Sequence, residues 1–163
     1  MTPAETRAEI ERLHAAGFAW SMACCGRNRE GAEDVLQATY LKILDGRARF
    51  GGRSSFKTFL FGVIRRTAAE ERRRVAIGRV IFGSAIPAQP SAGEGATVDR
   101  LAFRTALARL ARRQREVLEL VFSMGMTVQE AAETLSISVG SARVHYDRGK
   151  KHLAATLARR QSA

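Results

Sequence analysis

Cations and aromatics carry the densest chemistry in this chain. Arg143, His145, Arg148, Lys150 and Lys151 crowd one short stretch near the C-terminal end. Fixed positive charges with N–H donors suit phosphate oxygens and acceptor-rich base edges. A second set, Arg53, Lys57, Arg65 and Arg66, surrounds Phe59 and Phe61. Cations interleaved with aromatics can hold a phosphate backbone while a ring stacks on an unpaired base. Groups for covalent or metal chemistry do not converge in the same way. Glu33 with Asp34 and Glu70 with Glu71 are adjacent acids, and solvation is their plain reading. A nuclease or recombinase would need clustered acids or a placed nucleophile. His14, His145 and His152 are scattered, and the adjacent Cys24 and Cys25 suit neither an ordinary disulfide nor a C-x-x-C pair. We expect no metal, no cofactor and no catalysis, with the cysteines half-buried in a helix.

The elements that must position the C-terminal cations read as two helices joined by a tight turn. Thr127 with Glu130 makes a capping box, and Val128, Ala131, Ala132 and Leu135 form the stripe of a short amphipathic helix. Ser136 to Ser138 interrupts the pattern. Ser138 is a suitable N-cap for a second helix opening at Val139, with Ala142, Val144, Tyr146, Gly149 and Leu153 available for packing. Ala131, Ala132 and Gly140 are small enough for a close crossing. This is the helix-turn-helix layout, whose second helix enters the major groove of DNA. The bland alternative is a helical hairpin with a solvated basic face.

Upstream, every periodic signal is helical. One helix is expected from Pro3 or Ala4 to about Cys25, with Ile10, Leu13, Phe18 and Met22 on one face. A turn over Gly26 to Gly31 leads to a second, beginning with the acids Glu33 and Asp34 and carrying Val35, Leu36, Thr39, Tyr40, Ile43 and Leu44 as its stripe. Asp45 to Arg53 is glycine- and arginine-rich and reads as a mobile, positive loop. A third helix from Ser54 or Ser55 has the most regular stripe: Phe56, Phe59, Leu60, Val63, Ile64, Thr67 and Ala68. Phe61 falls off it, either exposed for stacking or widening the core. From Gly78 to Thr97 the composition turns to Gly, Pro, Ser and Ala, with Val80 to Phe82 able to dock on something. Beyond it, Leu101, Phe103, Leu107 and Leu110 mark one helix and Val117 to Phe122 the next. The expected fold is all-α: two small helical domains, 1–76 and 98–163, joined by a flexible linker over 77–97, the second a helix-turn-helix domain.

With 27 Lys and Arg against 16 acids, the 163-residue chain carries a formal +11. The excess is shared by both ends, so two contacts with a polyanion are expected. No segment approaches the roughly twenty apolar residues of a membrane-spanning helix, and the N-terminus lacks a signal-like apolar run. We expect no membrane insertion and a cytoplasmic location.

Three stretches together resemble an RNA polymerase sigma factor of the extracytoplasmic-function (ECF) kind. Glu33-Asp34-Val35-Leu36-Gln37-Ala38-Thr39-Tyr40-Leu41-Lys42-Ile43 is similar to the helix that docks on the clamp coiled coil of the polymerase. Phe50 to Arg66, especially Ser54-Ser55-Phe56-Lys57-Thr58-Phe59-Leu60-Phe61, resembles the segment that melts and reads the minus-ten element. Leu110 to Leu153, with Arg113 to Leu118 and Ser138-Val139-Gly140-Ser141, resembles the domain that reads the minus-thirty-five element.

The resemblance implies that Glu33, Asp34, Gln37 and Leu41 serve core-polymerase binding, with Leu36 and Leu41 helping to pack their helix. It implies that Arg53, Ser54, Ser55, Lys57, Phe59, Phe61, Arg65 and Arg66 bind the minus-ten element: the loop from Arg47 to Ser55 and the helix after it hold a base flipped from the non-template strand, with Phe59 or Phe61 as walls and Lys57, Arg65 and Arg66 on phosphates. It places Thr127, Ser138, Val139, Ser141, Arg143, His145, Arg148, Lys150 and Lys151 on duplex promoter DNA. Core polymerase, through its clamp and flap, is the implied protein partner, and such proteins often have an anti-sigma factor. Arg66 stands where the family usually has Asn and Phe59 where it has Trp. Asp147 either accepts from a cytosine amino group or pairs with Arg143, Arg148 or Lys151. A dimeric regulator with a response-regulator-type output domain shares the helix-turn-helix pattern, but Met1 to Arg74 offers no alternating strands or acidic pocket for a receiver domain.

Overall fold

A computed structural model describes residues 1–82 and 97–161, and among these every regular element is helical. Contacts divide the chain into two units, Met1–Ser91 and Ala92–Ala163. Most of the expected linker, 83–96, lies outside the described residues.

The first unit is built from α1 (Pro3–Arg12), α2 (His14–Cys24), α3 (Arg29–Leu44) and α4 (Phe56–Phe82). Thr2 and Glu5 form a capping box that starts α1. The single N-terminal helix expected from the sequence bends at Leu13, whose ψ of 4° leaves the helical basin while its N–H still bonds the Glu9 carbonyl. That bend rephases the buried face. Ile10 and Leu13 are buried before it, but Gly17, Trp20 and Ser21 follow, while Phe18 and Met22 are only half-buried. Trp20, at 1% exposure, stacks on Phe61 with ring centroids 6.1 Å apart and donates its indole N–H to the Phe61 carbonyl oxygen at 3.1 Å. Helix α3 starts at Arg29, four residues before the expected acid Glu33, because the Asn28 side chain caps the Gly31 N–H at 2.7 Å. Its stripe holds as expected for Val35, Leu36, Thr39 and Ile43, but Leu41 and Leu44 are exposed. Helix α4 is capped by the Ser55 hydroxyl, which accepts the Thr58 N–H. It continues through Phe82, so residues 77–82, expected as linker, are helical, with Val80 and Ile81 exposed.

The second unit comprises α5 (Val98–Ala108), α6 (Arg112–Leu118) running into a π turn over Glu119–Ser123, α7 (Val128–Leu135) and α8 (Val139–Gln161). Both halves of the Thr127/Glu130 capping box are present. Ser136 adopts φ +54°, the left-handed residue that ends α7, and Ser138 accepts the Ser141 N–H to start α8. Ala131, Ala132 and Ala142 are buried where α7 and α8 pack. Gly140 is exposed and takes no part in that crossing. The close approach lies instead at Gly149, where an added Cβ would meet Leu118 Cδ1 at 3.0 Å, Cγ at 3.2 Å and Gln114 Cβ at 3.3 Å.

Leu118 is fully buried and has little room to yield. Gly149→Ala should therefore lower stability: overpacking costs about 1–3 kcal/mol, against a gain in helix propensity of no more than about 1 kcal/mol. Thermal or urea unfolding of the two proteins, read by helical circular dichroism, checks the sign.

Candidate nucleic-acid and polymerase interfaces

In the first unit, the loop between α3 and α4 and the adjoining helix surfaces enclose a cavity of about 460 Å³. Its walls are Lys42 from α3, Arg47, Ala48 and Arg49 from the loop, and Phe59, Val63, Arg66, Thr67 and Glu70 from α4. The α4 residues recur at helical spacing, so one stripe of that helix faces the space. The loop, expected to be mobile, is pinned. Phe50 lies 5.4 Å, centroid to centroid, from both Phe56 and Phe59, and those two are 5.7 Å apart. The Ala48 N–H bonds the Lys42 carbonyl at 2.7 Å, and Arg47 is held to Asp45 through Nε at 2.7 Å. Lys42 Nζ donates to Thr67 Oγ1 at 3.2 Å and to Glu70 Oε2 at 2.5 Å, tying α3 to α4 beneath the cavity. Four cations and one half-buried aromatic thus surround a space open to solvent.

The residues expected to hold an unpaired base separate on this geometry. Phe59 and Arg66 line the cavity. Phe61 does not: it is 0% exposed beneath Trp20, and its placement as a wall for a base is corrected to core. The extra stripe position is occupied because α2 packs against α4 on that side as well as α3. Lys57 lies over the Phe61 ring at 5.7 Å and covers it from solvent. Arg53 is exposed, Ser54 and Arg65 are half-buried, and Ser55 is spent on the α4 cap. Arg47 and Arg49 line the cavity from within the loop, 47–55, that the resemblance assigned to base capture, whereas Lys42 and Glu70 were missed as cavity residues.

On α3, Glu33, Asp34, Gln37 and Leu41 are all exposed at i, i+1, i+4 and i+8, one continuous face. Leu36 packs the helix at 3% exposure; Leu41, at 54%, belongs to the open face and not to the packing. Arg29 pairs with Glu33 at 2.9 Å.

On α8, Ser141, Arg143, Val144, Asp147, Arg148, Lys150 and Lys151 are exposed, and Ala142, Gly149 and Leu153 are buried. His145 and Val139 are half-buried. Lys150 Nζ sits 4.6 Å from the Tyr146 ring centroid, which stacks on Phe122 at 6.0 Å. The hydroxyls of Thr127 and Ser138 are engaged in their helix caps. Among the described residues Asp147 has no ion pair, so the pairing with Arg143, Arg148 or Lys151 is not formed.

Cys24 and Cys25 are half-buried and are not joined in a disulfide. Burial pushes the Cys25 thiol upward, which disfavours the reactive thiolate. No described helix is long and apolar enough to cross a membrane.

Residues 11–76 match the family Sigma-70 region 2, and residues 100–153 match Sigma-70, region 4. The ECF RNA polymerase sigma factor SigX of Bacillus subtilis (strain 168) is 30% identical over 137 residues, which span 78% of this chain and 71% of SigX. The chain belongs to the ECF sigma factors. The ECF RNA polymerase sigma factor EcfG of Rhodopseudomonas palustris (strain TIE-1) is 29% identical over 134 residues, 80% of this chain and 73% of EcfG. The fold agrees with that of the sigma factor RpoE from Bartonella quintana, solved in complex with the anti-sigma factor NepR (TM-score 0.80, 21% identity, 94% of this chain and 96% of that one). It also agrees with CnrH, solved with the cytosolic domain of CnrY (TM-score 0.65, 20% identity, 96% and 89%). As a sigma factor the chain works in transcription initiation.

Truncating the two aromatics of this sigma factor should have opposite consequences. Phe61→Ala removes a fully buried ring and should cost about 3–5 kcal/mol of stability. Phe59→Ala, at the cavity wall, should leave most of the stability in place and weaken retention of single-stranded DNA by the polymerase complex. Unfolding midpoints together with filter binding of a labelled single strand distinguish the two.

Proposed function

We propose that this chain acts in the cytoplasm as the promoter-reading subunit of bacterial RNA polymerase. In this reading residues 1–76 bind core polymerase and the minus-ten element, and residues 98–163 bind the minus-thirty-five element. The observation that carries the proposal is the cavity between α3 and α4, with an aromatic on one wall and cations on the others. Extruding a base from a duplex costs a few kcal/mol. Stacking of that base on Phe59, worth about 1–3 kcal/mol, offsets much of it, and phosphate contacts from Arg47, Arg49, Arg53 and Lys57 supply the rest. Captured in this way, a flipped base of the non-template strand keeps the promoter melted without any covalent chemistry.

The exposed α3 face presents two acids, an amide and Leu41 to the clamp coiled coil, a mixture suited to a basic partner surface with an apolar centre. Helix α8 enters the major groove at minus thirty-five. Arg143 and Arg148 take base edges or the adjacent phosphates, Lys150 and Lys151 the backbone, and Ser141 and Val139 the groove floor near the helix start. His145 flanks them. The capping hydroxyls of Thr127 and Ser138 act through helix placement. The exposed aromatic Phe122 beside Tyr146 offers the polymerase flap an apolar foothold. The sigma factor RpoE from Bartonella quintana, which shares this fold, is solved with the anti-sigma factor NepR, and a partner of that kind that covers α3 or α8 would silence this chain.

Core polymerase binding by the full chain, with promoter DNA absent, tests the reading. Asp34→Arg reverses one exposed charge on α3 and should weaken the complex at least tenfold with no loss of helix content. Equal binding by both proteins would remove α3 from the interface, and no binding by either would end the sigma reading. With about six phosphates neutralised, promoter binding by the holoenzyme should fall about a thousandfold between 50 and 200 mM salt. A flat response in a mobility-shift titration would contradict the phosphate contacts.

A further inference from the structure

Glu70 is an acid in a space otherwise lined by the cations Lys42, Arg47, Arg49 and Arg66. A carboxylate gains nothing from a DNA phosphate, so its place there calls for another role. Its partner is Lys42, which comes from α3 and reaches α4, where Nζ donates to Thr67 Oγ1 at 3.2 Å and to Glu70 Oε2 at 2.5 Å. Thr67 is buried, and the Lys42 side chain is 23% exposed against 59% for that of Glu70. The ammonium is thus seated on the inner wall with the carboxylate on its solvent side. An ion pair this exposed contributes little to stability, so it is a weak brace and is easily opened.

We infer that Glu70 is an internal stand-in for a DNA phosphate: it holds Lys42 while the cavity is empty and yields it to the backbone of an entering strand. Lys42 is then a further phosphate contact, and Glu70 a brake on it. The inference rests on the nucleic-acid reading above and on the identity of no base. Carboxylate and phosphate both offer an ammonium anionic oxygen acceptors, and lysine meets either as a point charge. Exchange needs only a turn of the Glu70 side chain toward solvent, with Thr67 keeping Nζ in place. The brake follows from charge. While Glu70 remains, Lys42 and Glu70 together are neutral, and a phosphate that displaces the carboxylate trades one anion for another. Without the carboxylate, one full cation faces the strand. Because it acts on the backbone, the brake works on every sequence alike.

The test uses holoenzyme reconstituted from the full chain and bacterial core polymerase, with a labelled DNA single strand titrated by fluorescence anisotropy at several salt concentrations. Glu70→Gln should bind about tenfold tighter than wild type at low salt, as expected for one hydrogen bond to a charged group. It should also steepen the fall of log affinity with log salt by about 0.7, the increment of one more phosphate on a single strand. Strands that each carry one uncharged methylphosphonate linkage then locate the contact. One linkage should cancel most of the gain in Glu70→Gln, and the same linkage should cost nothing when Lys42→Met is added. Glu70 is exposed, so its unfolding midpoint should match wild type. Binding by Glu70→Gln no tighter than wild type, or a gain that persists with Lys42→Met and maps to no single linkage, would overturn the exchange. Wild-type holoenzyme that held no single strand would instead end the reading on which it rests.

Discussion

The packing of Trp20 against Phe61 is the contact on which the first unit depends. The indole stacks on the phenyl ring and its N–H reaches the Phe61 carbonyl, so one side chain satisfies its polar atom and buries its apolar surface together. That contact fixes α4 against α2. With α3 packed on another side, the stripe Phe59, Val63, Arg66, Thr67 and Glu70 is left facing outward. A rotation of α4 by one position would carry Arg66 toward the core and close the cavity. Core packing and site geometry are in this sense one constraint, because the same helix supplies both.

Charge has a corresponding division of labour. The excess of cations is distributed over faces that the core cannot use, and the few acids near the cavity do local work. Asp45 holds Arg47, and Glu70 holds Lys42. Exposed pairs of this kind contribute little to stability. Their effect is to orient cations that would otherwise sample many rotamers, so the loop can present a defined surface to a nucleic acid. The second unit follows the same economy with different parts. Caps at Thr127 and Ser138 determine where α7 and α8 begin, small residues bring the helices close, and the exposed cations of α8 then point away from the packing.

Family membership follows from sequence similarity to two regions of one family, and the architecture agrees with the solved structures of RpoE and CnrH at identities where only the fold carries over.

Helix periodicity and capping residues in the sequence were enough to determine an all-α chain, the position of the helix-turn-helix, and the assignment of α3 and α8 as the faces that carry acids and cations. Those are local properties: a stripe of apolar residues at helical spacing and a hydroxyl at a helix start act within a few residues of themselves. The tertiary structure decided what local signals could not. The bend at Leu13 rephased the first helices and put Trp20, which no stripe had included, into the core. Packing of α4 on two sides buried Phe61 and left Phe59 at the cavity. Gly149, not Gly140, became the close crossing. The cavity itself joins residues from Lys42 to Glu70, and only the docking of α3, loop and α4 brings them around one space, because a pocket is a property of how elements pack and not of any one element's pattern.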